Sequence, residues 1–269
     1  MKKQKDVVAG LGEIGLPIFK LLSKTRYVVG YDINPKLTDE RKYNKNTDNE
    51  TIFLHICIPF SDKFKNNVIN LNKKFQPKCI VIHSTVSPHT TKNIQSALKI
   101  PIIYSATRGV HSRMLSDLKK YTKFYALEKN APKKQWASLE FSKLMKKCNV
   151  KTKKLSDALT LELAKIVVDT SYYGWLINYA QISNLIAKKH KIDYDEMWSF
   201  SDEIQKHLGN RPKMFPGFIG GHCVIPNLSL INEDSLWEIE KINNFYSKKV
   251  KDAKTISKKY TKVKKSYNK

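Results

Sequence analysis

A glycine- and proline-rich stretch, FPGFIGGHCVIPN at residues 215–227, contains the side chains of this protein best suited to covalent chemistry. Three glycines in it permit positive φ angles and a close approach of the backbone to a ligand, and Pro216 and Pro226 stiffen its two ends. Such a loop can hold the Cys223 thiol in one place beside His222. A cysteine becomes a nucleophile when a nearby cation or a helix N-terminus lowers its pKa, and an inert buried thiol is the alternative interpretation.

A second glycine-rich stretch, GLGEIG at residues 10–15, follows a short apolar run and precedes a helical pattern of apolar residues. This order predicts a strand, a tight turn and a helix. Gly10 would make the turn, Gly12 would let a pyrophosphate approach the backbone, and Gly15 would let the helix pack closely on the strand. The motif therefore predicts a dinucleotide site, with an ordinary βα turn as the alternative.

The carboxylate expected of such a site comes about 20 residues later. Residues 27–31 predict the second strand, and Asp32 ends it. A carboxylate in this position binds the ribose hydroxyls of NAD and repels the 2′-phosphate of NADP. The sequence therefore predicts NAD as the cofactor.

The periodicity up to residue 153 predicts an α/β fold class, with a doubly wound parallel sheet of the Rossmann type. Continuous apolar runs, as opposed to alternating ones, indicate buried strands. Further strands are predicted at residues 51–59, 79–85, 100–105 and 122–127, with helices at 62–75 and 132–148. Residues 34–50 are too few for a full strand and helix, so the third βα unit is predicted to be trimmed. Ser84 and Thr85 would lie at a strand end, where ligands bind such sheets.

From residue 156 to residue 191 the apolar period becomes helical and predicts an all-α region with one long central helix. A helix of about 50 Å is longer than most helices of globular domains, so a neighbour such as a second subunit would have to cover it. Glu162, Lys165 and Asp169 are predicted to lie on one face, where a surface ion pair is the alternative to a catalytic role. A shorter helix is predicted at residues 193–208.

Composition predicts a soluble, cytoplasmic protein. The chain is 41% hydrophobic, contains no apolar run of the 18 or so residues that a membrane span needs, and has no apolar signal segment before the first strand. Its four cysteines lack paired spacing, which favours reduced thiols. Histidines and cysteines also fail to cluster at metal-ligand spacing, so no metal is predicted.

The net charge of +25 raises the possibility of nucleic-acid binding, which would show steep salt dependence. Only five of the 49 basic residues are arginines, and the lysines are spread along the chain without a nucleic-acid motif. Nucleic acid is therefore the less favoured partner, and the charge would also suit anionic substrates such as nucleotides. Residues 248–269 are predicted to be a frayed helix or disordered.

Four motifs in order resemble the UDP-glucose/GDP-mannose dehydrogenase family: GLGEIG with Asp32, STVSPHTT at 84–91, ELAK at 162–165, and PGFIGGHC at 216–223. The Gly-Gly-His-Cys sequence is most similar to members that oxidise UDP-N-acetylhexosamines such as UDP-N-acetylmannosamine. The resemblance implies NAD-dependent oxidation of a sugar C6 alcohol to a carboxylate in two hydride transfers, as in polysaccharide biosynthesis. The cysteine would capture the aldehyde as a thiohemiacetal, which is oxidised to a thioester and hydrolysed.

The resemblance extends to about residue 232 and implies three parts: an NAD-binding Rossmann domain (1–153), a helical central domain with the cysteine loop (154–232), and a lysine-rich C-terminal helix or tail (233–269). The long helix would form a homodimer. Family members continue into a second Rossmann-like domain that binds the nucleotide of the UDP- or GDP-linked sugar, and this domain is expected to be absent here.

Carried onto this chain, the resemblance implies that Cys223 is the nucleophile, that Lys165 stabilises developing oxyanions, and that Thr85 orients water or the sugar. Asp169 and Asn227 stand where the family has asparagine and aspartate, which suggests that the two have exchanged roles. The implied cofactor contacts are Gly10, Gly12, Glu13, Ile14, Gly15, Asp32, Pro59, Ser84 and Thr85, and the implied substrate contacts are Arg108, Gly220, Gly221 and His222.

Other departures from the family pattern keep alternatives open. Thr107 and Arg108 stand where Pro-Glu-Arg is common, and Ala180 and Gln181 replace an Asn-Glu pair. A non-catalytic NAD-binding subunit or pseudoenzyme of the same family is the first alternative. A β-hydroxyacid dehydrogenase, which uses a helix lysine and needs no cysteine, is the second.

Overall fold

The computed structural model describes residues 3–38 and 49–250. The chain divides into two compact units, Met1–Lys165 and Ile166–Lys269. The first is a Rossmann-like α/β unit and the second is helical, which confirms the predicted fold class. The three domain boundaries drawn from the sequence stay a prediction. Residues 39–48, in the predicted trimmed βα unit, and 251–269, in the predicted tail, lie outside the described residues.

The first unit is built on a single sheet. Its strands are β1 Gln4–Ala9, β2 Val28–Tyr31, β3 Glu50–Ile56, β4 Cys79–Ile82, β5 Ile102–Tyr104, β6 Lys123–Leu127 and β7 Thr152–Lys154. Within the described residues their order is β2-β1-β3-β4-β5-β6-β7, with every neighbouring pair parallel except β5 and β6. Strands β2 and β3 lie on opposite sides of β1, so the direction in which strands are added to the sheet reverses at β1. Ligands of doubly wound sheets bind at such a reversal.

In the described part of the first unit, six helices cover the two faces of this sheet. They are α1 Gly15–Leu22, α2 Phe64–Phe75, α3 Thr90–Gln95, α4 Met114–Lys120, α5 Lys134–Lys147 and α6 Ala158–Leu163. Helices α1, α4 and α5 pack on the face that carries Val8 and Val81, whereas α2, α3 and α6 pack on the face that carries Val7 and Ile80. Neighbouring strand residues thus point into opposite cores, as the pleat requires.

The long helix predicted at residues 156–191 is not one continuous α-helix. After α6 ends at Leu163, a π-helical stretch runs from Ala164 to Ser171, and α7 (Tyr172–His190) follows. The Ser171 hydroxyl donates to the Val167 carbonyl at 2.7 Å. This is the carbonyl that an α-helix would offer to the backbone N–H of Ser171, and such competition favours a distorted turn.

The second unit packs α7 against three further helices: α8 Tyr194–Leu208, α9 Ile225–Leu228 and α10 Asp234–Lys249. The prediction at 193–208 is confirmed, since Asp193 caps α8 by accepting the N–H of Glu196 at 2.7 Å. Helix α10 buries Ile239 and Tyr246, and the Tyr246 hydroxyl donates to Asn184 of α7 at 3.1 Å. Among residues 3–38 and 49–250, no helix combines the length and the apolar character that a membrane crossing requires.

Candidate active site

The GLGEIG turn is fixed by steric contacts within the first unit. Gly10 has φ of +88°, and a Cβ on it would lie 2.7 Å from the Cys57 carbonyl oxygen. A Cβ on Gly15 would lie 1.6 Å from the Gly10 carbonyl oxygen, so only glycine fits there. By contrast, a Cβ on Gly12 would meet nothing within 4 Å. The turn therefore leaves open space at the residue predicted to face a pyrophosphate, and this space fits a dinucleotide.

Asp32 lies beside this turn. Its Oδ2 accepts the backbone N–H of Leu11 at 2.7 Å, and its Oδ1 accepts the N–H of Asn34 at 2.9 Å. The hydroxyl of Thr38 accepts the Asp32 N–H at 2.9 Å. The structure thus brings the predicted ribose-binding carboxylate and the predicted phosphate turn together at the carboxyl end of β1.

Three other predicted cofactor residues, two in the turn and one after β3, differ in exposure. Glu13 is exposed, and its Oε2 lies 2.9 Å from Nδ1 of His111. Ile14 is half-buried and packs against the core under α1, whereas Pro59 is exposed beyond the end of β3. His111 was not among the predicted site residues.

The loop after β4 carries Ser84 and Thr85. The Ser84 hydroxyl donates to the Ile58 carbonyl at 2.6 Å, which joins the chain after β4 to the chain after β3. Thr85 is half-buried. Both residues therefore lie at the sheet edge where the sequence predicts the ligand.

Glu162 is not the member of a surface ion pair that the sequence allowed. It is 1% exposed, and its carboxylate accepts the N–H of His89 at 2.7 Å, the N–H of Thr91 at 2.8 Å and the Thr91 hydroxyl at 2.7 Å. Burial raises the pKa of Glu162 to about 7, while these three hydrogen bonds lower it. Lys165 is half-buried and Asp169 is exposed. The placement of the three residues on one helix face stays a prediction.

A buried lysine holds the loop after β5. Lys123, the first residue of β6, donates to the carbonyls of Ser105 at 2.9 Å and Ala106 at 3.5 Å, and to the hydroxyl of Thr107 at 3.4 Å. Burial lowers the pKa of Lys123 to about 7. The segment that replaces the family's Pro-Glu-Arg is thus held by a residue that the sequence did not single out.

Two buried histidines lie side by side under the same edge. Nδ1 of His83 lies 3.2 Å from the Ser105 carbonyl oxygen, so this nitrogen must carry the hydrogen. Burial lowers the pKa of His83 well below its usual value, so its ring is neutral and Nε2 accepts from Nδ1 of His55 at 2.9 Å. Burial likewise lowers the pKa of His55 to about 3. The two rings form a neutral hydrogen-bonded chain that ends on the β5 loop.

Arg108, a predicted substrate contact, lies against β6. Its Nη2 donates to the Thr122 carbonyl at 2.8 Å, and its guanidinium carbon lies 4.9 Å from the centre of the Phe124 ring. The guanidinium thereby stiffens the start of β6, and its role towards a substrate stays a prediction.

The cysteine loop belongs to the second unit. Cys223 and His222 are exposed, and Asn227 donates from Nδ2 to the Cys223 carbonyl at 2.6 Å. Gly221 has φ of +95° with nothing within 4 Å of an added Cβ, and Gly220 would meet only the Phe218 ring, at 3.3 Å.

Buried amides hold the start of this loop. Asn243 of α10 accepts the N–H of Ile219 at 2.8 Å and donates to its carbonyl at 3.2 Å. Gln181 of α7 donates to the carbonyl of Gly217 at 2.5 Å and to Asn243 at 3.0 Å, and Asn178 donates to Gln181 at 2.9 Å. The sequence noted Gln181 only as a departure from the family and did not find Asn178 or Asn243.

The two units divide the predicted catalytic residues. Thr85 and Lys165 belong to the first, whereas Asp169, Cys223 and Asn227 belong to the second. His55 lies within the apolar run TIFLHICIP, and a polar residue in such a run is the signal by which this buried histidine could have been found from the sequence.

No protein-family model and no curated protein matches this chain. Solved structures do match. The UDP-D-ManNAc dehydrogenase from Pyrococcus horikoshii has a TM-score of 0.72 at 18% identity, over 90% of this chain and 68% of that one. The UDP-N-acetyl-mannosamine dehydrogenase from Staphylococcus aureus has a TM-score of 0.65 at 20% identity, over 92% and 69%.

A third solved structure differs in how much of it is matched. The 3-hydroxyisobutyrate dehydrogenase from Mycobacterium tuberculosis, with L-serine, has a TM-score of 0.66 at 14% identity, over 94% of this chain and 95% of that one. At these identities the likeness shows a shared fold.

Proposed function

We propose that this chain is an NAD-dependent oxidoreductase that converts the C6 alcohol of a UDP- or GDP-linked sugar to a carboxylate. The observation that carries the proposal is a sterically fixed GLGEIG turn beside Asp32 in the same chain as an exposed cysteine in a Gly-Gly-His-Cys loop. Solved structures of similar fold include dehydrogenases of nucleotide sugars, which supports the substrate class.

The cofactor half of the proposal assigns the open space at Gly12 to the pyrophosphate and the Asp32 carboxylate to the ribose. Ser84 and Thr85 would complete the site from the loop after β4. NAD, when bound, supplies the hydride acceptor. Because Asp32 would meet a 2′-phosphate with like charge, we expect NAD to bind at least about tenfold more tightly than NADP, and Asp32→Ala to remove the difference. Equal affinity of the unaltered chain for both cofactors would refute this role.

The catalytic half assigns the covalent step to Cys223. Its thiolate adds to the aldehyde carbon, which forms a carbon–sulfur bond and places negative charge on the aldehyde oxygen, where the Lys165 ammonium would stabilise it. The aldehyde would come from a first hydride transfer to NAD, and a second hydride transfer to NAD would turn the thiohemiacetal into the thioester, with one proton released each time. Water then adds to the thioester carbon, the carbon–sulfur bond breaks, and the carboxylate and the thiol are released. Thr85 would orient the water or the sugar.

Asn227 bears on this scheme because its side chain contacts the residue of the nucleophile, through a hydrogen bond from Nδ2 to the Cys223 carbonyl. The exchange hypothesis assigns the acid of the site to Asp169. If it holds, Asp169→Asn and Asn227→Asp each lose activity and the double variant regains it, because the two substitutions are coupled. Additive losses would contradict the exchange.

The homodimer is also a proposal. Along α7 and the π-helical stretch before it, the large apolar residues that are exposed are Val167, Val168, Tyr172, Tyr173, Trp175, Tyr179, Ile182 and Ile186. A groove of about 420 Å³ continues this surface between α7 and α10, lined by Ile182, Leu185, Ile186, Ile242 and Phe245 together with Lys189 and Lys241. An apolar surface of this extent favours a protein contact. Sedimentation at tens of micromolar tests it, and a monomer would favour a partner subunit in place of a second copy.

The deciding experiment follows NADH absorbance with a panel of UDP- and GDP-sugars. We expect one of them to be oxidised, and Cys223→Ser to lower the rate at least about 100-fold, as removal of a catalytic group does. If NAD binds, no sugar is oxidised, and Cys223 reacts with iodoacetamide no faster than an ordinary thiol, the non-catalytic subunit is the correct alternative.

A β-hydroxyacid dehydrogenase is the second candidate, because this chain covers 95% of the matched 3-hydroxyisobutyrate dehydrogenase. That function predicts turnover of 3-hydroxy acids, loss of it in Lys165→Met, and no effect of Cys223→Ser.

A further inference from the structure

Three hydrogen bonds join α6 to the end of the loop after β4 and to the N-terminus of α3. All three end on the Glu162 carboxylate, and they come from the two backbone N–H groups of His89 and Thr91 and from the Thr91 hydroxyl, at 2.7 to 2.8 Å. Glu162 is 1% exposed. A buried carboxylate is costly unless donors surround it, so this group stays in place only while the loop keeps its conformation.

Helix α6 does not need this carboxylate for its own N-terminus. Asp157 already caps the helix from the solvent side, with Oδ1 accepting the N–H of Thr160 at 2.8 Å and its hydroxyl at 3.0 Å. The Glu162 carboxylate is instead used entirely by another element. It contacts His89, where the loop after β4 ends, and Thr91 in the first turn of α3, and that loop begins with Ser84 and Thr85.

Lys165 lies three residues after Glu162, about one helical turn away. The carboxylate therefore links, through a single side chain, the loop that bears Thr85 and the helical segment that bears Lys165. Both residues belong to the first unit.

We propose that Glu162 is a positioning residue, which holds the Ser84–Thr85 loop in register with Lys165 for the oxidation. The inference rests on the proposed function, because it takes Thr85 and Lys165 as members of the active site. Glu162 itself would touch neither cofactor nor sugar. Its contribution would be to the rate of chemistry more than to cofactor affinity, because GLGEIG and Asp32, which Glu162 does not hold, would make most of the predicted cofactor contacts and Ser84 and Thr85 only the rest.

The test uses the full chain and four variants. Glu162→Gln keeps the size of the side chain but replaces one acceptor oxygen with an amide that cannot accept. Thr91→Val removes only the hydroxyl donor, and Thr91→Ser restores it. Asp157→Asn is the matched control, since it weakens a carboxylate cap on the same helix without touching the buried link. For each, kcat, the KM for NAD, the thermal midpoint and amide hydrogen exchange are measured.

We expect Glu162→Gln to lower kcat at least about tenfold while the KM for NAD changes less than about threefold. Thr91→Val should also lower kcat, and Thr91→Ser should keep kcat near the value of the unaltered chain. Exchange at the amides of His89 and Thr91 should be at least about tenfold faster in Glu162→Gln than in the unaltered chain. Asp157→Asn should leave both kcat and these amides unchanged.

The outcomes separate this inference from the proposed function. If no sugar is oxidised by the unaltered chain, the proposed function fails and exchange at His89 and Thr91 alone decides whether Glu162 holds the loop. If sugar is oxidised and Glu162→Gln retains its kcat, the positioning role is wrong. It is equally wrong if kcat falls in Glu162→Gln and Asp157→Asn alike, in step with their thermal midpoints, because that pattern needs only a structural role.

Discussion

The two glycine-rich loops differ in what makes their glycines necessary. In GLGEIG, Gly10 and Gly15 are pressed against backbone carbonyl groups at 2.7 and 1.6 Å from an added Cβ. In the cysteine loop, an added Cβ on Gly221 meets nothing within 4 Å, and one on Gly220 meets only a flexible ring. Packing within the first unit thus requires Gly10 and Gly15, whereas only the positive φ of Gly221 requires a glycine in the cysteine loop.

This difference decides how much each motif can tell. A glycine that packing requires reports on the fold, so GLGEIG is a sound guide to the Rossmann sheet. The glycines of the cysteine loop are not explained by contacts among the described residues, so they point to a role in binding or chemistry that must be measured. Gly12 resembles the glycines of the cysteine loop, because contacts do not explain it either, although it lies within GLGEIG.

The largest effect is expected from Gly15→Ala. The new methyl group would overlap the Gly10 carbonyl oxygen, so the βα turn would have to open, and we expect a loss of about 4 kcal/mol or more in the free energy of unfolding. Gly12→Ala is the control, and it should change stability by less than about 1 kcal/mol. Urea unfolding of the two variants checks the comparison. A similar loss of stability in both variants would contradict the open space at Gly12.

The next effect is expected in the second unit, where buried amides replace steric contact as the constraint. Asn243→Ala would leave the N–H and carbonyl of Ile219 buried without partners, at a cost of about 3 kcal/mol. Asn244, the next residue along α10, is exposed, and Asn244→Ala should cost less than about 0.5 kcal/mol. Urea unfolding measures both. If the Asn243 variant is as stable as the Asn244 variant, the amide network does not hold the cysteine loop.

These two regions also explain what could be predicted from the sequence. The strand, turn and helix around GLGEIG follow from local sterics and from apolar periodicity over a few residues, so they were found with Asp32. The Asn243 contact joins residues far apart in sequence, and the lysine-rich composition of residues 233–269 left a helix and a tail as equal possibilities there. Strand β7 was missed for a related reason: Thr152–Lys154 is polar, and it pairs at the sheet edge without an apolar pattern.

The interrupted long helix shows a second limit. Apolar periodicity at residues 156–191 indicated helix correctly, but it does not distinguish the π geometry of Ala164–Ser171 from α geometry. Burial was the other unknown. For Glu162 the sequence left a surface ion pair open, and it did not single out Lys123; only the packed fold shows that both are buried.

A pH titration can sharpen the contrast between the units, since Lys123 is ionisable and the amides of the second unit are not. The pKa of Lys123 is about 7 in the folded chain and about 10.5 in the unfolded chain, because burial disfavours the ammonium. The free energy of unfolding is therefore highest above pH 10.5 and decreases as the pH falls from 10.5 towards 7. We expect the unaltered chain to gain at least about 1 kcal/mol over Lys123→Met between pH 7 and pH 10. In urea unfolding the Asn243→Ala difference should stay constant over this range. A flat Lys123 difference would mean that the ammonium is not buried.

The smallest effect concerns the cysteine loop itself. Gly221 has φ of +95°, so Gly221→Ala should cost about 1 kcal/mol, whereas Gly220→Ala, without a positive φ, should cost less than about 0.5 kcal/mol. Since neither glycine is enclosed, a larger loss of sugar oxidation than of stability would mean that the added methyl group meets the substrate or reorients Cys223. The rate of iodoacetamide reaction at Cys223 separates these two causes, because only reorientation changes it without sugar present. If both variants keep full turnover, the glycines serve neither purpose, and the resemblance of this loop to an active site loses its main physical support.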